Sequence, residues 1–332
     1  MIVRDGADTL ERCLDSIKAY VDEIVVGIDS RTVDNSEEIA RSYNASTFHF
    51  EWKDDFSYAR NLVADHVTSD WIFVIDADDY LVSVDDSIIP PDEYVGANVS
   101  VKTGPGTGIL SARIYKKGKA HYVFKIHEYL KFDEPRVTTL DIVMGHSRGK
   151  IVEPGRNLRI LDDIMTEYPR YLFYYGRECI DSCRLEDGIS ALQKYIELSS
   201  YESEKLQAMV DIARAYFNMD RIKDARKYCL MAIELNQNFQ PAYIWLGRIA
   251  YQRQEWELGV NWLEASLNLK PMHYVFDHVQ MDTQFAWDHL SVCYFYLKDF
   301  EKGRFYLEKC LELEPDNERY KSNFKFFEEA TS

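Results

Sequence analysis

Leu10, Cys13, Leu14 and Ile17 recur at spacings of three and four, an apolar stripe that predicts an amphipathic helix over Ala7–Tyr20. EIVVGI (23–28) is a short apolar run rich in β-branched residues and predicts a buried strand. Asp34, with Glu37 three residues on, has the form of a capping box that opens a helix reaching about Tyr43. Thr47–Phe50 then predicts a strand, Ser57–His66 a helix and Trp71–Ile75 a strand. Strands alternating with helices predict an α/β unit with a mostly parallel sheet covered on both faces. Ligands of such sheets bind at the carboxyl ends of the strands, where Asp29 ends one predicted strand and Asp76 another.

The second half has a different grammar. Gly176, Ala213, Gly247 and Ser291 are followed twelve residues later by Gly188, Ala225, Gly259 and Gly303. Nineteen residues after the first set stand Tyr195, Ala232, Ser266 and Cys310. The copies lie 37, 34 and 44 residues apart, and Pro271 and Pro315 fall 24 after Gly247 and Ser291. Two antiparallel helices cross closely only where side chains are small, and the register resembles the tetratricopeptide repeat. The longest interval implies an insertion near Met272–Met281, carrying His273, Tyr274 and Phe276. Asn317–Ala330 reads as a terminal capping helix. The expected division is a first domain over 1–152, a linker helix over 153–167 and an all-α repeat solenoid over 168–332.

Composition narrows the class. The chain has 332 residues, room for two cores, and no apolar run nears the ~18 residues of a membrane span. The net charge of −17 is shared by both halves, which argues against a nucleic-acid binder. One local exception runs from Lys102 to Lys131, where Arg113, Lys116, Lys117, Lys119 and Lys125 meet only Glu128. Six scattered cysteines and an N-terminus that does not read as a signal peptide imply reduced thiols in a cytoplasmic protein. Cys179 and Cys183 sit four apart, with no second pair of ligands nearby to make a zinc site.

WIFVIDADDYL (71–81) crowds Asp76, Asp78 and Asp79 at the end of an apolar run. Such carboxylates repel one another unless a cation sits among them, and oxygen-rich sets suit Mg2+ or Mn2+; a solvated acidic turn has the same composition. The strings MIVRDGADTLERCLDSI, VDEIVVGIDS, DNSEEIA, FEWKDDFSYARN and SDWIFVIDADDYL resemble, in order and spacing, the family 2 glycosyltransferases of the GT-A fold. The resemblance implies a metal-dependent, inverting transfer of a hexosyl or N-acetylhexosaminyl group from a nucleotide sugar, a UDP-sugar first of all. It implies Asp76 and Asp78 as a DxD motif holding Mn2+ or Mg2+ against the donor's diphosphate. It places Asp29 on the nucleotide base or ribose and Arg60 near the nucleotide. Arg31 departs from the family, standing where its DTGSTD string has a glycine.

An inverting transfer needs a carboxylate base. Within KIHEYLKF, His127-Glu128 resembles a His-Glu string of repeat-bearing family members, which implies Glu128 as the base and His127 as an orienting group or phosphate contact, with Asp133 and Glu134 as runners-up. His146, after an apolar run, matches the late histidine that fold relatives use as a further metal ligand. Gly104, Gly106 and Gly108 form a GxGxG string without the strand-to-helix setting of a phosphate cradle, and read as a loop. The acceptor side stays open among glycan, lipid-linked sugar and protein, with the repeats as a surface for acceptor docking or self-association. The rival reading is a catalytically decayed scaffold that works through its repeats. A nucleotidyltransferase is a third, and RDGADT is too poor in Gly and Lys/Arg for its loop.

Overall fold

In a computed structural model, which describes residues 1–84, 87–104, 107–147, 153–270 and 279–331, the stripe of Leu10, Cys13, Leu14 and Ile17 is the buried face of helix α1 (Ala7–Ile17). The helix stops at its last core contact, three residues short of the expected end, and Tyr20 N–H donates to Ile17 O in a closing turn. Strands β1 (Ile2–Val3), β2 (Val25–Asp29) and β3 (Ser46–Phe50) pair in parallel, in that order. All five residues of β2 are buried, as a run covered on both faces must be. Helix α2 (Ser36–Ser42) and helix α3 (Phe56–His66) complete this part. At Gly27 an added Cβ would lie 2.7 Å from Val63 of α3, so the helix that carries Arg60 packs directly on the β2 backbone.

The predicted capping box does not form. Asp34 instead accepts from Ala7 N–H at 2.9 Å and Ser36 N–H at 3.0 Å, joining the starts of α1 and α2. Glu37 turns away to Arg41 and His49.

Strands β4 (Trp71–Phe73), β5 (Asp79–Val84), β6 (Gly96–Gly104), β7 (Thr107–Lys116) and β10 (Val137–His146) form a second sheet in the order β4-β7-β6-β10-β5. Only β6 and β10 run parallel; the other pairs are antiparallel. The sheet system is therefore mixed, not mostly parallel. Parallel neighbours need a crossover of a dozen or more residues, and no helix occurs between α3 and residue 146 among the described residues. The segment from Leu81 to Val123 supplies hairpin strands the sequence reading left unassigned. Gly104 and Gly108 belong to the β6–β7 hairpin, and Gly106 lies outside the described residues. Strands β8 (Ala120–Val123) and β9 (Tyr129–Phe132) make a separate antiparallel pair.

Contacts divide the chain into Met1–Ile160 and Leu161–Ser332, and the division falls inside helix α4 (Arg156–Ile164). The second unit is all helix. It pairs α5 (Pro169–Asp181) with α6 (Leu185–Leu198), and α7 (Glu202–Asn218) with α8 (Ile222–Leu235). The next pairs are α9 (Gln240–Gln252) with α10 (Trp256–Leu267), and α11 (Val279–Tyr296) with α12 (Phe300–Leu313). Helix α13 (Glu318–Thr331) buries Tyr320 and Phe327 against the last pair. Each pair turns through one left-handed residue two positions before its second helix: Cys183, Asp220, Gln254 and Lys298. Cys183 is thus an exposed turn residue while Cys179 is core. Residues 271–278, which hold Pro271 and most of the predicted insertion, lie outside the described residues.

The small residues sit where the helices cross. A Cβ at Gly188 would fall 2.6 Å from Ile180 Cγ1 and 2.7 Å from the carbonyl oxygen of Gly176. Helix propensity alone predicts that Gly188→Ala stabilises by about 1 kcal/mol. The close crossing predicts the reverse, a loss of roughly 1–3 kcal/mol. A urea midpoint that rises would show that the helices can part at no cost.

Candidate functional site

At the carboxyl ends of β1 and β2 and just beyond β4 lies a cleft of about 390 Å3, lined among others by Asp29, Arg31, Trp52, Arg60, Asp78 and His146. Asp29 is the last residue of β2, and Arg60 reaches in from the middle of α3. The turn after β4 presents the acidic cluster. Asp79 N–H donates to Asp76 O at 3.0 Å, and Cys13 Sγ lies 3.4 Å from the same oxygen. Burial pushes the Cys13 thiol up to about 12, so it serves as a packing group and not a nucleophile.

The three acids have different surroundings. Asp76 Oδ1 forms an ion pair with Arg60 Nη1 at 2.7 Å, and its Oδ2 accepts a hydrogen bond from Arg113 Nη1 at 3.1 Å. Burial works to raise its pKa, but the two guanidiniums outweigh burial and hold the carboxyl far below the usual range. Asp78 has no arginine partner among the described residues. Burial pushes its pKa up, His146 works against that shift, and the Asp76 and Asp79 charges add to it. Asp79 is 3 % exposed; its Oδ1 is 2.9 Å from His146 Nδ1, and its buried Oδ2 accepts no hydrogen bond but forms an ion pair with Arg113 Nη2 at 3.4 Å. His146 Nε2 stands 3.8 Å from Asp78 Oδ2. Asp78, Asp79 and His146 each offer one ligand atom, all within 4.8 Å of one another.

Register explains the convergence. Strands β5 and β10 run antiparallel with His146 opposite Asp79, and an irregularity between Val143 and Met144 takes up one residue of β5. Without it His146 would face Tyr80, and the Asp79 side chain would point to the other side of the sheet.

Asp76 and Asp78 were expected as the paired ligands. The set that converges is Asp78, Asp79 and His146, with Asp76 engaged by arginines. Glu128 lies in the β8–β9 loop and joins the cluster through Arg60 Nε, 2.7 Å from its Oε1. His127 holds a left-handed backbone (φ 51°), which costs energy for a residue with a side chain and sets the direction of the loop. Glu134 forms surface ion pairs with Lys119 and Arg136 after β9, and Asp133 N–H donates to Lys119 O there, as expected of a turn.

Arg113 was read only as part of the basic run from 102 to 131. It lies in the site because β7 pairs with β4, placing Arg113 O on Val74 N–H at 2.7 Å, beside the acids. Trp52, Phe56 and Arg156 were also missed. The two rings meet edge to face at 4.7 Å, and Arg156 stands 4.6 Å over Phe56.

The glycosyl transferase family 2 model matches residues 1–83, which hold Asp29, Arg60 and the acidic cluster; Arg113, Glu128 and His146 lie beyond it. Tetratricopeptide-repeat models match residues 206–239, over α7 and α8, and 284–317, over α11 and α12. A TPR repeat-containing protein of Synechococcus elongatus is 48 % identical over 82 residues, covering 25 % of this chain and 20 % of that protein. The SPbeta prophage-derived glycosyltransferase SunS of Bacillus subtilis is 26 % identical over 229 residues, 59 % of this chain and 52 % of SunS. The chain thus spans between a fifth and about half the length of these relatives. Among solved structures, MamA is similar with a TM-score of 0.40 and 20 % identity, over 52 % of this chain and 99 % of that one. No helix among the described residues is long and apolar enough to cross a membrane. Over residues 1–83 the chain is thus similar to glycosyl transferase family 2, and in two stretches of its helical part to the tetratricopeptide repeat.

Proposed function

We propose that this chain is a metal-dependent, inverting glycosyltransferase that moves a sugar from a nucleotide sugar to an acceptor docked by its repeats. The observation that carries this reading is the convergence of Asp78, Asp79 and His146 at the strand ends of the family-matched cleft, beside the arginine-held Asp76. Two carboxylates and an imidazole, with one ligand atom from each within 4.8 Å of the others, are a donor set that suits Mn2+ or Mg2+. A cation held by Asp78, Asp79 and His146 would supply charge stabilisation for the leaving diphosphate.

The chain's own residues would do the rest. Arg60 and Arg113 keep Asp76 ionised and fixed in position. Glu128, gripped at Oε1 by Arg60, is a carboxylate held in one orientation, as a base for the acceptor's proton must be. The helix pairs contain none of the convergent metal-type clusters found among the described residues, which supports docking as their part.

Incubating the purified protein with a panel of nucleotide sugars tests the reading. Release of nucleoside diphosphate from at least one donor is expected with Mn2+ and not with chelator. Absence of release and of nucleotide binding across the panel would favour the decayed scaffold.

A further inference from the structure

The carboxylate expected to meet the nucleotide is closed off by this chain's own Arg31. Asp29 has 3 % of its surface exposed. Its Oδ1 accepts the Arg31 backbone N–H at 2.9 Å and Nε at 3.1 Å, and its Oδ2 accepts Nη2 at 2.7 Å. Burial works to raise the Asp29 pKa, and the Arg31 fork overrides it, holding the carboxyl below the usual range. The Arg31 side chain is 40 % exposed, lines the cleft and stands 5.6 Å from the Trp52 ring. Its Nη1 is 3.7 Å from Glu153 Oε2, outside hydrogen-bond distance, and Glu153 is already committed to Arg4 at 2.8 Å and Arg159 at 3.0 Å. This end of the cleft offers N–H donors where an uncovered Asp29 would offer acceptors.

Resting on the donor-site reading above, we propose that Arg31, held in place by Asp29, is a specificity-determining residue that selects nucleotides whose base sets two acceptors side by side. Guanine does so with O6 and N7, the pair that arginine contacts bidentately. Cytosine does so with O2 and N3. Uracil places an N–H between its two carbonyls, and that donor facing a guanidinium is left unsatisfied on burial. A glycine at position 31 would open Asp29 to accept that N–H. The side chain at 31 therefore sets the sign of the contact, and the first expectation of a UDP-sugar gives way to a GDP- or CDP-linked donor.

Calorimetric titration of the full chain with GDP, CDP and UDP in the presence of Mn2+ tests this. The wild type is expected to bind GDP and CDP more tightly than UDP. Arg31→Gly is expected to weaken GDP and CDP by on the order of tenfold and to strengthen UDP, reversing the order. Arg31→Lys keeps the charge but not the fork, so it is expected to flatten the differences between the three. Weakening of all three nucleotides by one common factor in Arg31→Gly, or a wild type that prefers UDP, overturns the proposal alone. A wild type that binds none of the three overturns the donor-site reading, and this proposal with it.

Discussion

Asp78→Ala is expected to abolish Mn2+-dependent nucleoside-diphosphate binding and to cut transfer by on the order of 10²–10³-fold, with the melting temperature unchanged or slightly raised. The reason is the company Asp78 keeps. Its carboxylate is partly exposed, has no arginine among the described residues, and is pushed toward protonation by burial and by its acidic neighbours. Removing it takes away like-charge repulsion and little packing. Asp76→Ala is a poorer probe. That change removes the carboxylate between Arg60, which keeps Glu128, and Arg113, which keeps Asp79, and leaves the two like charges facing each other. Lost activity there cannot be separated from lost fold. Manganese titration with circular dichroism on the Asp78 variant makes the separation, and wild-type turnover in that variant would remove Asp78 from the metal set.

Glu128→Gln is expected to lower transfer by about 10²-fold or more while donor affinity changes little. The amide keeps an oxygen that can accept from Arg60 Nε, so the loop and the arginine stay in place. What disappears is the capacity to take a proton from the acceptor. Single-turnover transfer and nucleotide titration on the same variant distinguish two roles. An equal loss of binding would assign Glu128 to holding Arg60 for the donor, and the base would then have to be sought elsewhere.

The repeats were legible because their signal is local and recurs. Small residues at two offsets in four copies specify a helix crossing without reference to anything distant, and the left-handed turn residues follow the same intervals of 37, 34 and 44. Elements α1 to α3 and β2 to β4 were legible for the same reason, each having a period or a short apolar run of its own. The region from Leu81 to His146 was not. Its strands pair through hairpins, a bulge and one parallel contact, and none of these leaves a fixed spacing in the chain. The capping box failed for a related reason: Asp34 found stronger use joining two helix starts.

The sequence by itself determined the division into an α/β part and a helical-repeat part, and which residue types stand at the strand ends: Asp29, Asp76, Asp78 and Asp79. Apolar periodicity and close helix crossings are properties of neighbouring residues, so they survive in a one-dimensional reading. Only the tertiary structure decided the partners. The β4–β7 pairing drew Arg113 out of a basic run and onto Asp76. Arg60 was shared between Asp76 and Glu128, the latter 68 residues along the chain from the arginine. Asp29 was closed by Arg31, two residues away, a contact that depends on the turn and not on the spacing. The irregularity in β5 and β10 chose Asp79, and not Tyr80, as the residue facing His146. The side-chain period of a strand is two, so one residue of slip exchanges the two faces, and whether a strand slips is settled by how the whole sheet packs.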